Sequence, residues 1–162
     1  MAELEEKHPE KSVFYVDETG IDKFVYRDRV RAKRGEKVYT KVPGKKFQRL
    51  SIVAGKCGSN VVAPMVFEGV ADSALFEHWF DNYFCPEITE NIAVIDNASI
   101  HRKSKLFEIA AKHNVILLFQ PPYSPDLNKI EEFWAWIKNK LRNILKKSDN
   151  LFDAICECFQ LN

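Results

Sequence analysis

Three acidic residues from distant parts of the chain stand where a metal site could be built. Asp17 follows the apolar run at residues 12–16, Asp96 follows the apolar run at 91–95, and Glu131 lies early in a long helical pattern. Carboxylates that a fold gathers repel one another and need a compensating cation, and all-oxygen ligands suit Mg²⁺ or Mn²⁺. The chemistry that such a site supports is phosphoryl transfer, with two ions about 4 Å apart activating a hydroxyl and stabilising the leaving oxygen.

Each of the three acids also has an ordinary interpretation. Asp17 could form a turn, Asp96 could cap a helix, and Glu131 could be a surface acid on a charged helix. In favour of a site, the two aspartates are expected at the carboxyl ends of strands, where ligands usually bind. Glu131 lies about 90° from the apolar stripe of its helix and can face a cleft, whereas Glu132 should face solvent. Spacing alone leaves both interpretations open.

The first third of the chain is expected to be rich in strands. Residues 12–16 are mostly β-branched or aromatic and run into Asp-Glu-Thr-Gly, which predicts a strand that ends in a turn at Asp17. Residues 24–31 and 47–54 are two further strand candidates, joined by a basic stretch that contains glycine. We expect these strands to pair as antiparallel neighbours.

The middle of the chain changes to a helical period. A helix is expected from Ser73, as its capping residue, to Pro86, which stops it. A strand at 91–95, a helix around 106–110 and a strand at 115–119 then form a crossover unit, whose two strands are normally parallel. The pattern therefore predicts an α/β fold with a mixed central sheet, three antiparallel strands followed by parallel strands, flanked by helices.

Local signals mark the helix ends in the last third. Asn114 suits the left-handed residue that ends a helix. Ser124 followed by Pro125 is a strong helix start, because the hydroxyl can cap and proline needs no amide donor there. The last long helix should run to about residue 147, and residues 148–162 should form a tail or a short helix.

Composition excludes several classes of protein. The 162 residues suit one compact domain, and 46% hydrophobic with 29% charged residues is a globular balance rather than a disordered one. The longest apolar run, 115–119, is too short to span a membrane, and the polar residues 1–11 resemble a tail rather than a signal peptide, so we expect a soluble cytosolic domain over residues 12–147. The four cysteines show no disulfide or zinc spacing and are expected to be reduced thiols.

Positive charge is concentrated in one segment. Residues 23–49 contain eleven Lys or Arg and two acids, a net charge of +9 in a chain whose total is +1. Such a local basic surface can follow phosphates, although a solvated hairpin whose charges protect its edges is the alternative. The candidate DNA contacts in this segment are Arg27, Arg29, Arg31, Lys33, Arg34, Lys37, Lys45 and Lys46.

The sequence segments around the three acids resemble those of a known family. The segments are YVDET at 15–19, DNASIH at 96–101 and PYSPDLNKIE at 122–131, with Trp134 three residues further on. In this order, and with 34 residues between the second and third acids, they resemble the mariner-like DDE transposases, in particular their bacterial insertion-sequence branch. The resemblance runs from about residue 12 to about residue 144.

The resemblance implies a ribonuclease-H-like fold in which Asp17, Asp96 and Glu131 are the catalytic residues and ligate two Mg²⁺ or Mn²⁺ ions. The implied reaction is metal-dependent cleavage of DNA at a transposon end followed by transfer of the freed 3′-hydroxyl to target DNA. The implied setting is a homodimer assembled on DNA in the bacterial cytosol, associated with the nucleoid. A related nuclease that only cleaves, and an inactive DNA-binding remnant, are the alternatives.

The sequence departs from the family at two places. Lys129 stands where the family usually has proline, and it adds a cation that is either a phosphate contact or a solvated surface lysine. Full-length relatives carry an N-terminal helix-turn-helix region, whereas eleven residues precede the first strand here. We therefore expect the catalytic half alone, with weak or absent recognition of specific DNA and a separately encoded DNA-binding half as a candidate partner.

Several further residues have both a functional and a structural interpretation. Asn97, His101 and Asn128 lie in the resembling segments and could hold the carboxylates by hydrogen bonds, or could simply cap helices. Phe133 and Trp134 lie on the apolar side of the last long helix, so core packing is expected for both rather than stacking on bases.

Overall fold

A computed structural model describes residues 9–22, 49–121, 128–145 and 150–160. Its strands are β1 (Val13–Asp22), β2 (Arg49–Cys57), β3 (Asn60–Glu68), β4 (Ile92–Ile95) and β5 (Ile116–Phe119). Its helices are α1 (Ser73–Trp79), which continues through a π-helical segment (Phe80–Phe84) into α2 (Cys85–Glu87), then α3 (Lys103–Lys112), α4 (Glu131–Ile144) and α5 (Leu151–Gln160). The strand predicted at 24–31 lies outside the described residues.

The five strands form one mixed sheet in the order β3-β2-β1-β4-β5. β1, β2 and β3 pair antiparallel, and β1, β4 and β5 pair parallel, with α3 as the crossover between β4 and β5. The predicted fold class, antiparallel strands followed by parallel strands with flanking helices, is confirmed. β3 was not predicted from the sequence, because Pro64 interrupts its apolar pattern; proline is tolerated at the edge position that β3 holds in the described sheet.

The first strand is longer than the sequence indicated. The prediction that β1 ends in a turn at Asp17 is wrong, because the strand continues to Asp22 and pairs with β2 along the added length, for example Thr19 with Ile52. Thr19 and Ile21 are buried, so inward and outward residues still alternate in the polar second half of the strand. The parallel partner β4, in contrast, pairs only with residues 13–15.

The sheet separates two apolar layers. Phe14 and Val16 face a cluster that contains the aromatic residues of α1 and the π-helical segment together with the inner face of α3. Val13 and Tyr15 face a second cluster that contains the inner faces of α4 and α5. Neighbouring residues of β1 thus anchor opposite layers, as the alternation of a strand requires. Leu151, Ala154, Ile155 and Cys158 of α5 are buried in the second layer.

The helix ends correct one prediction and confirm another. Asp72, not Ser73, caps α1, since its Oδ1 accepts from the Leu75 amide at 2.8 Å. The predicted helix start at Ser124 and Pro125 lies outside the described residues, and in the described part α4 begins at Glu131. Asn114 has φ 56 at the end of α3, which confirms the left-handed residue. Among the described residues, no helix has the length and apolar character that crossing a membrane would require.

Candidate active site

Two of the predicted acids lie side by side in one cleft. Tyr15 and Val94 form the last parallel pair of β1 and β4, and Asp17 and Asp96 each follow two residues later. Both aspartates line a cleft of about 250 Å³, together with Glu18. Asp96 lies at the carboxyl end of β4, and Asp17 lies on β1 just beyond its last pair with β4. This explains how Asp17 can belong to a strand-end site while lying within its own strand.

The environment of Asp17 opposes its ionisation. Burial raises the pKa of the Asp17 carboxyl from its ordinary 3.8 to about 7, and the negative charges of Glu131 and Asp96 act in the same direction. A backbone hydrogen bond from Glu18 and a side-chain hydrogen bond from Trp134 lower the pKa in part. Burial and the neighbouring acids therefore outweigh the two hydrogen bonds, and the ionised carboxylate is disfavoured at this position.

Asp96 experiences the opposite effect. His101 Nε2 lies 2.9 Å from Asp96 Oδ1, and the amide of Ala98 donates to the same oxygen at 3.1 Å. The hydrogen bond from His101 is the main cause that holds the pKa of Asp96 below its ordinary value. Asp96 Oδ2 takes no hydrogen bond from the described residues. Two neighbouring carboxyl groups with pKa values moved apart are a common feature of sites that do acid–base or metal chemistry.

The loop that carries Asp96 is fastened to α1. The hydroxyl of Ser73 donates to the carbonyl of Ile100 at 2.6 Å, and the ring of Phe76 lies 4.3 Å from that of His101. At the end of the loop, the Arg102 guanidinium donates to both carboxylate oxygens of Glu77, at 2.6 and 2.5 Å. These contacts fix the loop from Asp96 to Arg102, so His101 is held in place to support the aspartate.

Glu131 is the first residue of α4, and its side chain is exposed. Its charge raises the pKa of Asp17, and both Glu131 and Glu132 are exposed. Within the described residues, no three His, Cys, Asp or Glu side chains are close enough together to hold one metal ion. The charge of Glu131 therefore acts on Asp17, but the three carboxylates do not form one cluster in the described structure.

Trp134 is the site residue that sequence reasoning missed. Core packing is correct for its ring, which is 1% exposed, but its Nε1 also donates to Asp17 Oδ2 at 3.0 Å. It stands one helical turn after Glu131, so α4 supplies both an acid and a donor to the same place. The signal available from the sequence was its polar ring nitrogen, which usually finds a partner when a tryptophan is buried.

The remaining predicted residues are dispersed. Asn97 is exposed. Asn128 is buried, its backbone carbonyl accepts from the Glu131 amide at 3.1 Å, and its side-chain oxygen has no hydrogen-bond partner among the described residues. Lys129 is exposed, with its Nζ 5.5 Å from the centre of the Tyr15 ring. The eight basic candidates from Arg27 to Lys46 lie outside the described residues.

The donor set suits a hard divalent cation. The three acids offer carboxylate oxygens, which are the ligands that Mg²⁺ and Mn²⁺ prefer. Burial, with a contribution from the charges of Glu131 and Asp96, disfavours the ionised form of Asp17, and a bound cation would favour it. Glu131 is exposed at the first residue of α4, so its side chain can change rotamer without repacking the core.

The five-stranded mixed sheet flanked by helices is a ribonuclease-H-like fold, and the acids on β1, after β4 and at the start of α4 form its candidate site. A family model described as DDE superfamily endonuclease matches residues 12–152, and the chain belongs to this family. No curated protein sequence matches the chain.

Solved structures show the same fold at low sequence identity. The Mos1 strand transfer complex aligns with TM-score 0.71 and 16% identity, over 98% of this chain and 50% of that chain. The catalytic domain of Mos1 mariner transposase aligns with TM-score 0.62 and 14% identity, over 98% and 74%. The Mos1 mariner paired end complex with Mn aligns with TM-score 0.60 and 19% identity, over 83% and 45%. The chain thus spans about half the length of the transposase chains in these complexes.

Proposed function

We propose that this chain is the catalytic domain of a DNA transposase, which cleaves DNA at a transposon end and joins the freed 3′-hydroxyl to target DNA. The observation that carries the proposal is the position of Asp17, Asp96 and Glu131 in a member of the DDE endonuclease family. Burial, together with the charges of the other two acids, raises the pKa of Asp17 to about 7. Similar structures, a strand transfer complex and a paired end complex with Mn, support both the reaction and the metal.

The residues that would hold two Mg²⁺ or Mn²⁺ ions are these three acids. When bound, such ions lower the pKa of a water or 3′-hydroxyl and stabilise the leaving oxygen. The chain's own residues orient the ligands: Trp134 holds Asp17 Oδ2, and His101 with the Ala98 amide holds Asp96 Oδ1. These contacts leave Asp96 Oδ2 directed away from its protein donors, and each carboxylate oxygen has a second lone pair to offer.

Binding of a cation should displace the proton that Asp17 retains. Because the pKa of Asp17 is about 7, the free site is partly protonated near neutral pH, and a cation competes with that proton. Cation affinity should therefore rise between about pH 6 and pH 8. Assembly as a homodimer on DNA and a location in the bacterial cytosol are parts of the same proposal.

The proposal is tested first by thermal unfolding with and without Mn²⁺. An ion that binds only the folded protein, at a hundred times its Kd, adds about 2.7 kcal/mol of stability by mass action. For a domain of this size that corresponds to a rise in Tm of roughly 5–10 °C. Asp96→Asn should abolish the rise, because an amide still accepts from His101 and Ala98 but binds the cation poorly. Asp22→Asn, the same change at the end of β1, is the matched control.

A mutant at Asp96 that responds to Mn²⁺ like the parent would contradict the site assignment. The reaction is then tested with pre-cleaved transposon ends supplied to the domain fused to an end-binding module. Joining to target DNA supports a transposase, cleavage without joining supports a nuclease, and salt-sensitive DNA binding that survives loss of all three acids, without any response to metal, supports a DNA-binding remnant.

A further inference from the structure

A groove on the α4 face of the sheet is lined by lysines. It consists of two neighbouring clefts, of about 330 and about 650 Å³, which are both lined by Gly58 in the turn between β2 and β3. Lys11 and Lys129 line the first cleft, and Lys56 lines the second, together with Trp136. No Asp or Glu among the described residues lines either cleft. We refer to these neighbouring clefts as the lysine groove.

Trp136 forms an exposed aromatic wall of the lysine groove. It is 41% exposed, stacks on Phe133 with ring centres 5.8 Å apart, and carries the Nζ of Lys140 at 4.5 Å from its ring centre. The same ammonium donates to the carbonyl of Cys158 at 3.3 Å. Lys140, the fourth lysine, is thus held beside Trp136 by two partners. It therefore loses less side-chain freedom on contact with an anion than an unrestrained lysine would.

The lysine groove begins beside the acidic site. Lys129 stands two residues before Glu131, and Tyr15, which lines the same cleft, stands two residues before Asp17 on the same face of β1. From there the groove passes Gly58 to reach Trp136, two residues after Trp134 on α4. A DNA strand that extends from the acidic site along the groove can therefore place successive phosphates near successive lysines.

We propose that the lysine groove binds one strand of DNA next to the reacting phosphodiester, with phosphates on the lysines and a sugar or base against Trp136. The inference rests on the proposed function, which supplies DNA as the substrate. Lysines that neutralise phosphates, combined with an aromatic wall, are the usual means of holding single strands. A protein partner fits less well, because the centres of protein–protein interfaces are depleted in lysine.

Tryptophan fluorescence can report on the lysine groove directly. The chain has three tryptophans, and Trp79 and Trp134 are 0% and 1% exposed, so Trp136 alone is accessible to added DNA. Oligothymidine titrated in EDTA should change the emission, and Trp136→Phe should remove the change. EDTA separates strand binding from cation binding at the acidic site.

The salt dependence of binding tests the contribution of the lysines. For single strands, the slope of log K against log salt concentration is steeper by about 0.7 for each phosphate that the protein neutralises. The double variant Lys56→Gln, Lys140→Gln leaves two phosphates without a cation and should therefore reduce the slope by roughly 1.4. Lys103→Gln is the matched control: that lysine also lies over an aromatic ring, with its Nζ 4.8 Å from the Phe119 centre, but on the opposite layer.

Three results would overturn the inference. The first is emission that oligothymidine does not change, and the second is a slope that Lys103→Gln lowers as much as a groove lysine does. The third is sedimentation showing that a second copy of the chain covers Trp136 in the absence of DNA. Failure of the proposed function would give another pattern of results. Mn²⁺ would not raise the Tm of the parent, while Asp96→Asn and the parent would bind oligothymidine alike.

Discussion

Replacing Asp17 by asparagine should make the metal-free protein more stable at pH 8. The pKa of Asp17 is raised from 3.8 to about 7, and each pKa unit corresponds to about 1.4 kcal/mol, so the ionised group costs up to roughly 4 kcal/mol. Its side chain is partly exposed, and screening by solvent reduces the expected gain to about 2 kcal/mol. Asparagine removes the charge and can still accept the hydrogen bond from Trp134.

The direction of the pH dependence follows from the raised pKa. The folded protein holds the Asp17 proton more tightly than the unfolded chain does, so this stabilising contribution is complete below about pH 4 and is lost as the pH rises to about 7. Parent and Asp17→Asn should therefore be similar in stability at pH 4. They should diverge through pH 5 and 6, and differ fully at pH 8.

Urea unfolding in EDTA at pH 4, 6 and 8 measures this difference. At pH 8 the variant should also melt about 4–8 °C above the parent. Asp22→Asn, at the far end of the same strand, should show no gain that grows with pH. The reasoning is refuted if Asp17→Asn is no more stable than the parent at pH 8, or if its gain is the same at pH 4.

Two further substitutions examine α4. Glu131→Gln should reduce the rise in Tm caused by Mn²⁺, whereas the adjacent Glu132→Gln should not; equal effects would show that the rise reflects general surface charge. Trp134→Phe removes the donor to Asp17 and, because phenyl is smaller than indole, some packing as well. Urea unfolding should show a loss of stability that is larger at pH 8 than at pH 5, because the part due to the hydrogen bond, about 1–2 kcal/mol, needs the ionised Asp17. A loss independent of pH would mean that only packing was disturbed.

The sequence by itself determined the main plan of the protein. The alternation of apolar residues and the strand–helix–strand unit were sufficient to predict a mixed sheet with antiparallel and then parallel strands, because hydrophobic periodicity is a local property of the sequence. Asn114 was assignable because few residues adopt a positive φ. The three acids could be proposed as the site from the short segments that surround them.

Only the tertiary structure decided how the site is built. The extent of β1 depends on pairing with β2, a long-range interaction that overrode the turn signal in Asp-Glu-Thr-Gly. The donors of the site, Trp134 to Asp17 and His101 to Asp96, join elements far apart in the chain, and periodicity within α4 could assign Trp134 only to the core. Periodicity records which face of an element is buried, whereas partners across the core are fixed only when the layers pack.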